Sequence, residues 1–402
     1  MRLLGAVTVG ALLASAPVAG QEAPLTFQSA LELAIANNLD LAAARRGRAA
    51  REAGLQAAGQ RPNPDLVFES TKDTPHQMLS LDIPFEPWKR SARIDLAREE
   101  LSLADVEDAA ALQALRRSVR MAFYGLLAAE EAAALTQSMQ EVADRVREVA
   151  QARFDEGAAP RLDVMQADLG RARAKAELDL ARSARRSAQA ELNALLNRPP
   201  AQLLSVAGDM AESAPLPSLD EATARAAAGN AELVVAVREV AIEGRRLSLL
   251  KAERIPTPVF SLGAVFNAPG EFDVGYRAGL SLAVPLFSRN QGEIAGSLAR
   301  GDQARFRRDA LRRAVEARVY AAHARAEARR AQVTSYRDTL VPTATLITSL
   351  AEEGYRLGRN PILAVLDAQR SLRDVKGEYF SSLLSLQSAL ADLEDVLGGP
   401  IE

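Results

Sequence analysis

Apolar residues recur along this chain in two rhythms, and the change from one to the other marks its elements. Leu383, Leu386, Leu390, Leu393 and Leu397 alternate at three and four residues, the seam of a helix lying along a partner in a left-handed coil. An ordinary amphipathic helix shares that spacing. Phe272, Val274, Tyr276, Ala278, Leu280, Leu282 and Val284 instead fall on one face of an extended segment, with Asp273, Gly275, Arg277, Gly279 and Ser281 on the other. Phe260, Leu262, Ala264 and Phe266 alternate likewise before the turn Asn267-Ala268-Pro269-Gly270, and Leu79, Leu81 and Ile83 do so around Ser80 and Asp82. Strands of about ten residues with one apolar face suit an outer-membrane barrel. A soluble sheet with one wet face gives the same alternation.

The punctuation between these elements occurs twice. Pro62-Asn63-Pro64-Asp65-Leu66-Val67-Phe68 is echoed by Pro256-Thr257-Pro258-Val259-Phe260, and Ile83-Pro84-Phe85 by Val284-Pro285-Leu286-Phe287. Phe154, Gly157 and Pro160 are echoed by Tyr355, Gly358 and Pro361. Offsets of 194 to 201 residues in constant order indicate a duplicated unit. The organisation expected is a leader over 1–20, a first repeat over 21–200, a linker over 201–216 and a second repeat over 217–402.

Each repeat is expected to hold a helix, a strand pair, a very long helix and a return helix. In the first repeat the helices are placed at 26–60, 89–154 and 161–197. A helix of about 66 residues measures roughly 100 Å, too long for the core of a compact domain. The two shorter helices, end to end, match its length and can cover it. The fold class is therefore mainly α with a small β part: a long α-helical coiled-coil barrel plus a transmembrane β-barrel shared between chains. Four strands cannot close a membrane barrel, which begins at eight, and an open edge in lipid leaves backbone groups unpaired.

Composition narrows the chemistry. Cysteine is absent and histidine occurs twice, at His76 and His323, so thiol nucleophiles and Cys/His or paired-His metal sites lack their residues. Each histidine reads as a loop or helix-surface residue. No enzyme, cofactor or metal site is expected. The net charge is −3, and its arginines are interleaved with acids along helices, so nothing favours nucleic acid. Arg2, the apolar run from Leu3 to Ala16, Pro17 and the small residues before Gln21 predict a secretory signal peptide.

In this order, over nearly the whole mature chain, these features resemble the TolC-like outer-membrane efflux channel family, the outer membrane factors. The features that carry the resemblance are the duplication, the strand pairs bracketed by prolines, and the paired tips Phe154 to Ala167 and Tyr355 to Ala368, the second with Tyr355, Gly358 and Val365-Leu366-Asp367-Ala368. The resemblance implies a homotrimer in which three chains supply twelve strands to one barrel and twelve helical strands to a periplasmic tunnel. It also implies a passive channel whose partners are outer-membrane lipid, a periplasmic adaptor and an inner-membrane pump of the RND type. It further implies a periplasmic constriction at Asp367, with Asp163 and Tyr355; Ala364 stands where other members carry a second acid. Gly157, Ala158, Ala159 and Pro160, with Gly358, Arg359, Asn360 and Pro361, become the adaptor-docking tips. Asp82 to Ile94 resembles the strand-to-helix junction of the heavy-metal-efflux branch, with Trp88 in place of a glycine. Trp88, Lys89 and Arg90 there suit a membrane interface. A type I protein-secretion channel and a secreted coiled-coil scaffold without a pore are the alternatives.

Overall fold

The structure, a computed structural model, describes residues 24–211, 214–270 and 272–401. The expected signal peptide lies outside the described residues. Helices α1 (Phe27–Asn37) and α2 (Leu39–Ala58) lead to strands β1 (Asp65–Ser70) and β2 (Gln77–Pro84). Then come α3 (Pro87–Asp155) and α4 (Arg161–Leu195). The same order follows again: α5 (Leu219–Gly229), α6 (Ala231–Glu253), β3 (Pro258–Ala268), β4 (Phe272–Leu282), α7 (Gln291–Ser335), α8 (Val341–Arg356) and α9 (Ile362–Leu397).

The helix expected over 26–60 is two helices. Asn38 leaves the helical conformation at ψ 127°, and its side-chain oxygen accepts from the Leu41 N–H, so it ends α1 and caps α2. Asn230 does the same between α5 and α6, accepting from Leu233. Between α7 and α8 lies a π turn over Tyr336–Leu340. Pro342 has no N–H to return to residue 338, and the wider turn absorbs the missing bond.

At 69 residues, α3 spans roughly 100 Å. Helices α2 and α4 lie along its two ends, and α9 and α6 pack on it as well. The core is mid-length, where Leu115, Val119, Phe123 and Leu126 of α3 meet Leu383, Leu386, Leu390, Leu393 and Leu397 of α9. Truncating one of those leucines to alanine costs roughly 2–5 kcal/mol. The linker joins this core through Leu204, Val206 and Met210, and Leu25 bridges to Val206. Toward the tips a second, smaller core mixes Ala150, Ala167, Ala351 and Ala368 with Val146, Val164, Tyr355, Ile362 and Val365. His323 is no helix-surface residue: it is 9% exposed, with its Nε2 2.8 Å from the Pro217 carbonyl oxygen.

The four strands form one antiparallel sheet in the order β1-β2-β3-β4. Register aligns apolar rows across it: Leu66, Leu81, Leu262 and Ala278 in one, and Phe68, Leu79, Ala264 and Tyr276 in the next. The opposite face carries Asp65, Asp82, Ser261 and Gly279, then Val67, Ser80, Gly263 and Arg277. Gly263 is needed there, since a Cβ would sit 2.8 Å from the Leu79 carbonyl oxygen. Only β3 and β4 reach 11 residues; β1 has six and β2 eight. Pro62 and Pro64 offer no N–H for a ladder, so pairing starts at Asp65. Val284, expected in the strand, lies beyond it, because β3 opens on Pro258 and leaves nothing to pair past Leu282.

Candidate functional site

Two helical tips, built alike, stand at the end of the molecule remote from the sheet. Gly157 and Gly358 adopt φ of +72° and +71°, the left-handed region where a side chain is strained. Their N–H groups donate to Phe154 and Tyr355, and the next residues donate to Arg153 and Gly354, closing α3 and α8. Pro160 and Pro361 then start α4 and α9 with nearly identical backbone, φ −73° and −72°. Gly157, Ala158, Pro160, Gly358, Arg359 and Pro361 are exposed; Ala159 and Asn360 are half-buried. Asn360 folds its amide over Gly354, where a Cβ would lie 2.2 Å from Nδ2.

The two tips touch through side chains that differ between the repeats. Arg153 of α3 places its guanidinium 4.8 Å from the ring centre of Tyr355, and its Nη1 donates to the Tyr355 carbonyl oxygen at 3.1 Å. Tyr355 is 3% exposed, and its hydroxyl oxygen is buried without a hydrogen-bond partner among the described residues. Burial first, and then the negative charge of Asp163, push the Tyr355 phenol above its ordinary value. Asp163 thus acts on Tyr355 through its charge. Asp163 is also a first-turn acid of α4, favoured by the helix dipole.

Asp367 stands apart from that pair. It is exposed, and its Oδ1 lies 4.0 Å from Arg370 one turn on. With Gln166, its counterpart in the first repeat, it lines a hollow of about 410 Å³ bounded by α3, α4 and α9 that also holds Arg173, Arg370 and Arg373. Arg373 crosses this hollow to Glu177 at 2.6 Å. The pattern of acids in the sequence gave no sign of those arginines, which converge only once α4 and α9 both pack on α3. Arg153, too, was missed: its helical register says nothing of a partner 202 residues away.

At the sheet end, Phe85 meets Trp88 and Phe260 edge-on, at 6.1 and 6.3 Å between ring centres. Lys89 donates to the Thr257 hydroxyl at 2.6 Å, and Arg90 to the Gly59 carbonyl at 2.6 Å. These two cations lock β2 and α3 to neighbouring segments. Among the described residues no helix is long and apolar enough to cross a membrane.

The profile of the family described as outer membrane efflux protein matches residues 30–198 and 265–399. This chain belongs to that family. It is similar to the cobalt-zinc-cadmium resistance protein CzcC of Cupriavidus metallidurans, 30% identical over 95% of this chain and 92% of that protein. It is also similar to the pyoverdine export outer membrane protein OpmQ of Pseudomonas putida, 27% identical over 82% of this chain and 71% of that one. In fold it resembles CusC, known from crystal structures describing folding and transmembrane channel formation, with a TM-score of 0.78 at 14% identity over 93% of this chain and 92% of that one. The outer membrane protein VceC of Vibrio cholerae is similar too, with a TM-score of 0.77 at 18% identity over 94% and 97% of the two chains. As an outer membrane efflux protein, the chain is a channel component of the Gram-negative outer membrane, with its helical tunnel in the periplasm, and not an enzyme.

Proposed function

We propose that three copies of this chain close one twelve-stranded barrel and one helical tunnel, a passive conduit completed by a periplasmic adaptor and an RND-type inner-membrane pump. The observation that carries this reading is the four-stranded sheet, apolar on one face and open at both β1 and β4. Unpaired edges are costly in lipid, and pairing β4 of one copy with β1 of the next removes them. The helices support the same closure. Packing runs α4, α3, α9, α8, and the two outer helices expose apolar stripes: Leu162, Met165 and Leu169 on α4, and Leu346, Ile347 and Leu350 on α8. Each stripe suits the other across a head-to-tail contact between copies.

In this reading the two repeats, 21–200 and 217–402, follow removal of a leader over 1–20, and Trp88, Lys89 and Arg90 lie at the membrane's periplasmic boundary. The tips dock the adaptor. Tyr355, Asp163 and Asp367 narrow the periplasmic mouth. The identity to CzcC favours divalent metal ions as cargo.

Detergent extracts of outer membranes decide the matter: an SDS-resistant trimer that conducts ions in planar bilayers is expected, and a soluble monomer overturns the reading. Orientation is checked in intact cells with an impermeant maleimide, which should label Thr74→Cys and spare Ala159→Cys. Equal labelling of both contradicts it.

A further inference from the structure

The apolar face continues past the end of the sheet. Beyond the last pair of β3 and β4, Pro258 with Leu282, Val284 and Leu286 keep the same alternate register and are 60% and 63% exposed. Phe287 beside them is 92% exposed. Three cations gather at this place: Lys251 and Arg254 at the end of α6, and Arg289 just before α7. They border two adjoining hollows of about 460 and 510 Å³ that share Arg254, Leu286 and Arg289. Among the described residues no acidic residue lines either hollow and none of the three cations is in an ion pair. The matching junction of the first repeat differs, because Lys89 and Arg90 are spent on Thr257 and Gly59, and Arg93 on Glu86 at 2.6 Å.

Unpaired arginines next to an exposed apolar ledge suit a ligand with an anionic oxygen-rich head and a hydrocarbon body. Guanidinium groups take phosphate through paired hydrogen bonds, and basic side chains at a bilayer surface attract anionic lipid. The Phe85, Trp88 and Phe260 cluster marks this end of the sheet as the aromatic boundary of the membrane. We propose that Lys251, Arg254 and Arg289 form a binding site for the phosphate of an anionic phospholipid, whose acyl chains lie over Val284, Leu286 and the outer face of β4. The proposal rests on the channel reading above for the orientation of the sheet in lipid.

Native mass spectrometry of the detergent-solubilised oligomer, titrated with phosphatidylglycerol and in parallel with inorganic phosphate, tests it. Combining Lys251→Gln, Arg254→Gln and Arg289→Gln should weaken lipid retention by about 100-fold, roughly five-fold per charge removed. Combining Arg182→Gln, Arg185→Gln and Arg186→Gln on α4 should leave it unchanged, and Arg254→Lys with Arg289→Lys should largely preserve it. Equal retention by the triple junction variant and the wild type overturns the proposal. So does full displacement of lipid by inorganic phosphate, which makes this a free-anion site. Loss of the oligomer with unaltered lipid retention overturns it too, since the hollows would then be a contact between copies. Failure of the channel reading is distinguishable, because the wild type would then yield no detergent-dependent oligomer at all.

Discussion

Arg153 and Tyr355 belong to different tips, and each fixes the other: the guanidinium lies 4.8 Å from the ring centre while its Nη1 holds the Tyr355 backbone carbonyl at 3.1 Å. The contact joins the end of α3 to the end of α8, so the two hairpins cannot separate without breaking it. Replacing Arg153 with Ala should loosen the tips and raise single-channel conductance in planar bilayers, with trimer yield unchanged. Unaltered conductance removes this pair from the gate.

Tyr355 adds a pH dependence of known sign. Burial and the charge of Asp163 raise its pKa in the folded tip, so the folded state prefers the neutral phenol. That contribution is complete below the ordinary tyrosine pKa of about 10 and falls as pH rises beyond it. Conductance should therefore rise at alkaline pH above about 10 in the wild type, and Tyr355→Phe should abolish that rise.

Gly358→Val should impair export while trimer and membrane insertion persist. The φ of +71° strains a β-branched residue by roughly 1–3 kcal/mol, a local distortion at a solvent-facing turn with no core contact to lose. Antibiotic- or metal-sensitivity assays alongside heat-modifiability gels read the two effects separately. Normal export by this variant takes the tip out of the mechanism.

Asp367 has Arg370 beside it at 4.0 Å, so its charge is partly offset. If Asp367 faces the mouth, Asp367→Ala lowers cation selectivity and divalent block, whereas Arg370→Ala increases both. Reversal-potential measurements in asymmetric salt separate these outcomes. Unchanged selectivity in both variants makes Asp367 a helix-surface acid.

Midway along the tunnel, Glu394 of α9 takes Arg120 Nη1 at 2.7 Å, with both side chains about one-tenth exposed. Arg120 also donates to Gln387 at 3.1 Å, and Gln387 to the Met210 carbonyl at 2.8 Å. Removing one member strands a buried charge, so Glu394→Ala should cost roughly 3 kcal/mol. A thermal melt of the trimer measures it, and a loss under about 1 kcal/mol would mean that the pair is solvated.

The sequence by itself determined the elements whose cause is local. The leucine seam of α9, the alternation of β2, β3 and β4, and the glycine-proline stops of both tips each depend on residues within a few positions of one another, and each appears where its pattern lies, except that β4 ends at Leu282, short of Val284. The Asn38 break escaped because its apolar rhythm runs on either side without a gap; only the cap hydrogen bond to Leu41 reveals it. Tertiary structure decided everything that joins distant segments: Arg153 over Tyr355, Arg373 against Glu177, Lys89 on Thr257, and the three unpaired cations beyond β4. The reason is physical. Helix and strand periodicity follow from backbone geometry, whereas the partner of a long charged side chain depends on which helices lie side by side, and the many arginines interleaved with acids along these helices permit many pairings.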